Sequence, residues 1–187
     1  MLNAIELNIH AAVVRQGGNE QLAVITMDET AERLHLQLQD AIAPGDLEID
    51  ITFDGILNDK LRGFYRSSFT DDDGVEHTIA TTQFESTNAR RCFPCWDEPD
   101  RKAVFSVTLE VPQDMLAISA MVETGRTQLD ERWVQVNYAP TPLMSTYLLA
   151  FMVGDMEASP AIDVDGVPVR IIHRPGQGDQ ISFAHDA

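Results

Sequence analysis

The stretch Leu47-Glu-Ile-Asp-Ile-Thr-Phe53 alternates apolar and polar side chains at every step. Successive residues of an extended chain point to opposite faces, so this pattern predicts a strand with one face on a core and the other in water. The same pattern lies to either side. Leu34, Leu36 and Leu38 alternate with His35, Gln37 and Gln39, and Ile5, Leu7 and Ile9 alternate with Glu6, Asn8 and His10. Gln16-Gly-Gly-Asn19 and Ala43-Pro-Gly-Asp46 separate these runs, and Gly and Pro supply the backbone angles that reverse a chain. Thr70-Asp-Asp-Asp-Gly74 reads as an exposed turn. Beyond it Phe105, Val107, Leu109 and Val111, then Val134, Val136 and Tyr138, resume the alternation.

Tyr147 to Val153 is almost wholly apolar, which predicts a strand covered on both faces, with a short buried helix as the alternative. Val167 to Ile172 is the last strand expected, and Gly178 to Ala187 reads as the start of a helix capped by Asp179. The fold class expected is therefore all-β, an antiparallel sandwich or curved-sheet domain. Leu34, Leu36, Leu38, Phe105, Val107, Leu109 and Leu149 are expected on its core side.

The 187 residues carry 30 Asp and Glu against 13 Lys and Arg, a formal charge of −17. So negative a surface repels phosphate backbones and anionic headgroups, which argues against nucleic acid or membrane as partners. Met1 to His10 shows no basic leader followed by an apolar segment, and no apolar run approaches the ~20 residues of a membrane-spanning helix. Two cysteines are too few for a disulfide scaffold, so a reduced, cytoplasmic setting is expected.

The densest segment runs Thr81-Thr-Gln-Phe-Glu-Ser-Thr-Asn-Ala-Arg-Arg-Cys-Phe-Pro-Cys-Trp-Asp-Glu-Pro-Asp100. Its C-x-x-C, Cys92 and Cys95, lacks the second pair of ligands that a structural zinc needs and the strand-to-helix setting of a redox motif. Two buried free thiols are the expected state. Trp96 is expected to bury a large apolar area, and Asp97 or Glu98 to neutralise Arg90 or Arg91. Gln83 and Glu85, two apart, would share one face of an extended chain while Phe84 turns into the core. An amide oxygen and a carboxylate on one face suit a ligand with several donors, such as an ammonium group. Pairing of Glu85 with Arg90 or Arg91 is the structural alternative.

With Asn58-Asp-Lys-Leu-Arg-Gly-Phe-Tyr-Arg-Ser67 ahead of this segment and Met144-Ser-Thr-Tyr-Leu-Leu-Ala-Phe-Met-Val-Gly-Asp155 behind it, the chain closely resembles the first domain of the aminopeptidase N family of zinc exopeptidases. The resemblance implies one or more strands ahead of Leu2, an amino-terminal β domain over residues 1–177 and the start of a catalytic domain at 178–187. It also implies that Gln83 and Glu85 line the active-site cleft and bind the free α-amino group of a peptide, beside a cis peptide bond between Glu85 and Ser86.

No H-E-x-x-H occurs, and the five histidines, His10, His35, His77, His173 and His185, are scattered. Since the family mechanism needs a metal to polarise the carbonyl and activate water, this chain is expected to hold no metal and no catalytic residue of its own. Zinc is expected in a catalytic domain of the same protein, which would be this domain's partner along with the peptide substrate. Two rivals stand beside this reading. One is an aminopeptidase-like scaffold for protein contacts without catalysis; the other is an independent β-sandwich binding module, which would need an exposed aromatic platform.

Overall fold

The computed structural model describes residues 1–185. Its strands in chain order are β1 (Leu2–Asn3), β2 (Leu7–Gln16), β3 (Asn19–Leu22), β4 (Val24–Asp28), β5 (Arg33–Gln37), β6 (Glu48–Gly55), β7 (Gly63–Thr70) and β8 (Glu76–Gln83). After a 3-10 turn at Ala89–Arg91 come β9 (Lys102–Ala103), β10 (Thr108–Pro112), β11 (Leu116–Ser119), β12 (Glu123–Gln128), β13 (Trp133–Tyr138) and β14 (Met144–Ser145). A second 3-10 turn, Thr146–Leu148, leads to β15 (Phe151–Gly154), followed by β16 (Glu157–Ala158), β17 (Ile162–Val164), β18 (Val167–Val169) and β19 (Ile172–His173). The strand pairings are antiparallel, as the hairpin-forming turns require. The all-β expectation holds.

The chain forms two compact units. The first comprises residues 1–65, 82–104 and 142–149; the second comprises 66–81, 105–141 and 150–187. In the first unit, the sheets β3-β2-β6 and β1-β5-β4 contribute to one core. Leu2, Ala4, Leu7 and Leu34 are buried there, flanked by Ile9, Ile25, Met27, Leu36, Ile51 and Phe53. Full burial of a side chain such as Leu34 stabilises by roughly 1.5–3 kcal/mol. The β2–β6 register skips His10, a bulge that shifts the side-chain phase by one residue. Leu7 and Ile9 therefore face the core before it, and Ala12 and Val14 after it. His10 is turned outward, 2.7 Å from Asp54.

The second unit repeats the arrangement. Val111, Val134, Val136 and Tyr138 of β10-β13-β12 pack with Ala117 of the sheet β11-β15-β8-β7, and Val107, Leu109 and Val153 flank them. Gly154 sits on β15 opposite Ile79 of β8, and a Cβ placed on it would lie 2.4 Å from Ile79 Cγ2 and 3.0 Å from Ile79 Cα. Only a glycine lets the strands approach this closely.

Alternation predicted the faces better than the depth. Leu34 and Leu149 are buried, whereas Leu36, Leu38, Phe105, Val107 and Leu109 are half-buried, because small two-layer units leave the margins of each sheet partly open. Phe105 and Val107 precede the regular strand and pair through single main-chain bonds with Thr141 and Tyr138. The Tyr147–Val153 run is not covered on both faces: it is split between a 3-10 turn in one unit and β15 in the other, and Leu148 is 52% exposed.

Trp96 does not bury a large area either, being 59% exposed. Extended alternation turns Cys95 and Asp97 inward and Trp96 outward, and the inward position goes to the carboxylate that serves Arg90. Asp179 does not cap a helix: it lies inside a 3-10 turn, Gly178–Gln180, whose N-cap is Gln177, while α1 (Ser182–His185) begins later. The last two residues of the expected helix lie outside the described residues. Among those described, no helix is long and apolar enough to cross a membrane.

In the second unit, His77 of β8 bridges two carboxylates, with Nε2 2.8 Å from Asp71 and Nδ1 2.5 Å from Asp155. Its ring stacks on Phe69 at 5.0 Å. Hydrogen bonding to Asp71, aided by Asp155, outweighs desolvation and raises the His77 pKa; the same bond to His77, with a main-chain N–H from Val75, lowers that of Asp71.

Two outcomes are expected. Gly154→Ala should destabilise the protein by about 1–3 kcal/mol in urea unfolding, because overpacking forces the strands apart; an unchanged midpoint would show that Ile79 yields freely. The second concerns pH. A raised histidine stabilises fully below its ordinary 6.5 and loses this as pH rises through the raised value, while a lowered aspartate stabilises above its ordinary 3.8 and loses this as pH falls through the lowered value. The stability difference between the native protein and His77→Gln should therefore be largest between about pH 4 and 6.5 and shrink by pH 9. A difference independent of pH would exclude a charged His77 bridge.

Candidate functional site

β8 ends in the first unit with Gln83, and the chain turns there because Phe84 must go inward. Phe84 is 2% exposed and meets Phe93 edge to face, ring centroids 5.8 Å apart. Gln83 and Glu85, on either side of it, are both exposed. β8 ends at Gln83, and Glu85 is the first residue of the turn that follows. The bond from Glu85 to Ser86 is cis, as the resemblance implies. The turn then closes as the Asn88 N–H donates to the Phe84 carbonyl at 2.9 Å and the Asn88 side-chain amide donates to the Glu85 carbonyl at 3.1 Å.

The 3-10 turn that follows carries Arg90 and Arg91, both largely buried and both paired with carboxylates other than Glu85. Arg90 Nε donates to Asp97 at 3.0 Å and Nη1 to Glu32 at 2.9 Å. Burial works against the charge of Arg90, and hydrogen bonds to Asp97 and Glu32 outweigh it, so its pKa is raised. Arg91 Nη1 lies 2.8 Å from Glu6 as an ion pair without hydrogen-bond alignment, and Nη2 lies 3.5 Å from Glu32. Glu85 is not among the ion-pair partners of either arginine in the described residues.

Two further features hold the segment. Asn3 and Cys95 exchange main-chain hydrogen bonds of 2.7 and 3.0 Å, and Arg90 accepts one from the Ile5 N–H. Gly63, at φ 67, lies so near Arg91 that a Cβ there would come within 2.9 Å of the arginine's own. Of the pairings the sequence left open, Asp97 or Glu98 with Arg90 or Arg91, the structure shows Asp97 with Arg90, while Glu98 faces Arg33; Glu6, Glu32 and Asn88 were missed. Glu6 and Glu32 are 85 and 58 residues from the arginines they reach, which no local spacing signals.

The cysteines are free, Cys95 buried and Cys92 partly so. Burial pushes the Cys92 thiol up to about 12 and raises Cys95 as well, which makes both poor nucleophiles and poor metal ligands at neutral pH. Among the described residues no group of three or more His, Cys, Asp or Glu could hold a metal ion. A catalytic zinc does not fit the side chains of the described residues. The open hollow of about 530 Å³ at the β2–β3 hairpin, lined by Arg15, Gly17, Gly18, Glu20 and Glu48, contains none of the expected site residues.

The model of the peptidase M1 N-terminal domain matches residues 1–148. Aminopeptidase M1 of Arabidopsis thaliana is 39% identical over 189 residues, covering 98% of this chain and 21% of the relative. Puromycin-sensitive aminopeptidase of Caenorhabditis elegans is 40% identical over 177 residues, covering 94% and 19% respectively. Aminopeptidase N of Bos taurus is 38% identical over 181 residues, covering 93% and 19%. The chain thus spans about a fifth of the length of the curated relatives it matches. The match over residues 1–148 and the relatives along nearly the whole chain establish that the chain belongs to the family of the peptidase M1 N-terminal domain.

Proposed function

We propose that this chain is the non-catalytic amino-terminal domain of a zinc aminopeptidase that removes amino-terminal residues from peptides, and that Gln83 and Glu85 bind the substrate's free α-amino group. The observation that carries this reading is the disposition of the turn: Gln83 and Glu85 exposed on either side of buried Phe84, with Arg90 and Arg91 neutralised by other carboxylates. A carboxylate left to the solvent in this way is available to a protonated amine, and an amide oxygen beside it can accept a second ammonium proton. The net charge of −17 draws the same kind of ligand. A peptide with a blocked terminus would leave the carboxylate without its partner, which is how such a site would select exopeptidase substrates.

Since zinc ligands are lacking among the described residues, the hydrolytic step belongs to the catalytic domain of the same protein. That domain is the partner this reading requires. A cytoplasmic setting belongs to it too and is supported by the two free thiols.

The purified chain should bind no stoichiometric zinc and cleave no aminoacyl anilide; activity that survives purification and is abolished by a chelator would overturn the assignment. In the full-length enzyme, Glu85→Ala should raise KM for free-amino peptides roughly tenfold or more, the effect of losing a charged hydrogen bond, with a smaller change in kcat. Gln83→Ala should act in the same direction by about 3- to 10-fold. An unchanged preference for free over acetylated peptides in Glu85→Ala would remove Glu85 from the role.

A further inference from the structure

We infer that Asn88 and Arg91 are positioning residues for the amine-binding carboxylate, Arg91 fixing the Asn88 amide and Asn88 fixing the main chain that carries Glu85. The inference rests on the proposed role of Glu85. Its basis is a relay: Arg91 Nε donates to Asn88 Oδ1 at 3.3 Å, and Asn88 Nδ2 donates to the Glu85 carbonyl at 3.1 Å. The orientation of the amide is settled at both ends, because a guanidinium can only donate and a main-chain carbonyl can only accept.

Arg91 is itself held. Glu6 and Glu32 flank its guanidinium, and its Cβ lies so near Gly63 that a Cβ on the glycine would come within 2.9 Å of it. The two acids stand at left-handed backbone positions, Glu6 at φ 59 and Glu32 at φ 53, where non-glycine residues persist only when surrounding contacts hold them. The carboxylates aimed at the arginines are such contacts. Rigidity therefore passes from Glu6 and Glu32 through Arg91 and Asn88 to Glu85.

The exposed Glu85 side chain is thus mounted on a backbone pinned on one side by buried Phe84 and on the other by its own carbonyl. Its carboxylate needs little further ordering when an amine arrives, and reduced ordering cost appears as tighter binding. Neither Asn88 nor Arg91 need touch the substrate. Their effect would be confined to the binding of the amine, through Glu85.

In the full-length enzyme, Asn88→Ala should raise KM for an aminoacyl anilide about 3- to 10-fold, the worth of one hydrogen bond, with kcat within about twofold. Arg91→Lys, which keeps the charge near Glu6 and Glu32 and loses the Nε donor, should do the same to a smaller degree and covers the case in which Asn88→Ala folds poorly. The double variant Glu85→Ala with Asn88→Ala should be no worse than Glu85→Ala alone. An unchanged KM in both single variants, or additive losses in the double variant, overturns the relay.

If Glu85→Ala itself leaves KM unchanged, the amine-binding reading fails, and hydrogen exchange on the present chain still decides the positioning. In Asn88→Ala the main-chain amide of residue 88, which donates to the Phe84 carbonyl, should then exchange about tenfold faster while those of β2 and β6 keep their protection. No acceleration at that amide overturns the inference.

Discussion

The first unit depends on how two buried guanidiniums are neutralised. Arg90 and Arg91 are adjacent in sequence and largely buried, and charges so placed are tolerated only when paired. Their counterions come from three places: Glu6 ahead of β2, Glu32 in the turn between β4 and β5, and Asp97 from the same loop. Each arginine has two carboxylate partners, Asp97 and Glu32 for Arg90 and Glu6 and Glu32 for Arg91, so neither relies on one acid alone. The Phe84–Asp97 segment is thereby bound to the amino-terminal strands by charge as well as by the Asn3–Cys95 pairing. Left-handed backbone at Glu6 and Glu32, about 1–3 kcal/mol each, is tolerated within this arrangement because the carboxylates it aims offset it.

With its arginines satisfied, the loop can leave a carboxylate in water. Glu85 follows a buried phenylalanine and precedes a 3-10 turn, so its main chain is held while its side chain is not. The proposed recognition of an amine rests on this arrangement. Among the described residues no group of three or more His, Cys, Asp or Glu could hold a metal ion, and burial keeps the cysteines protonated. On the proposed reading, recognition and chemistry reside in different parts of one protein.

Period-two alternation by itself determined the all-β class and the inward faces of β5, β6, β13 and of β2 ahead of His10, because side-chain direction along a strand follows from backbone geometry alone. Gln83 and Glu85 are exposed on either side of buried Phe84, although Glu85 lies in the turn beyond β8. Alternation did not determine depth or phase across irregularities. The bulge at His10, the division of Tyr147–Val153 between two units and the outward turn of Trp96 arise from pairing partners and competing claims on interior space. Nor could it identify Glu6, Glu32 or Asn88 as members of one network. Charge pairing between residues 58 and 85 positions apart leaves no periodic trace, since it depends on where the folded sheets bring distant loops together.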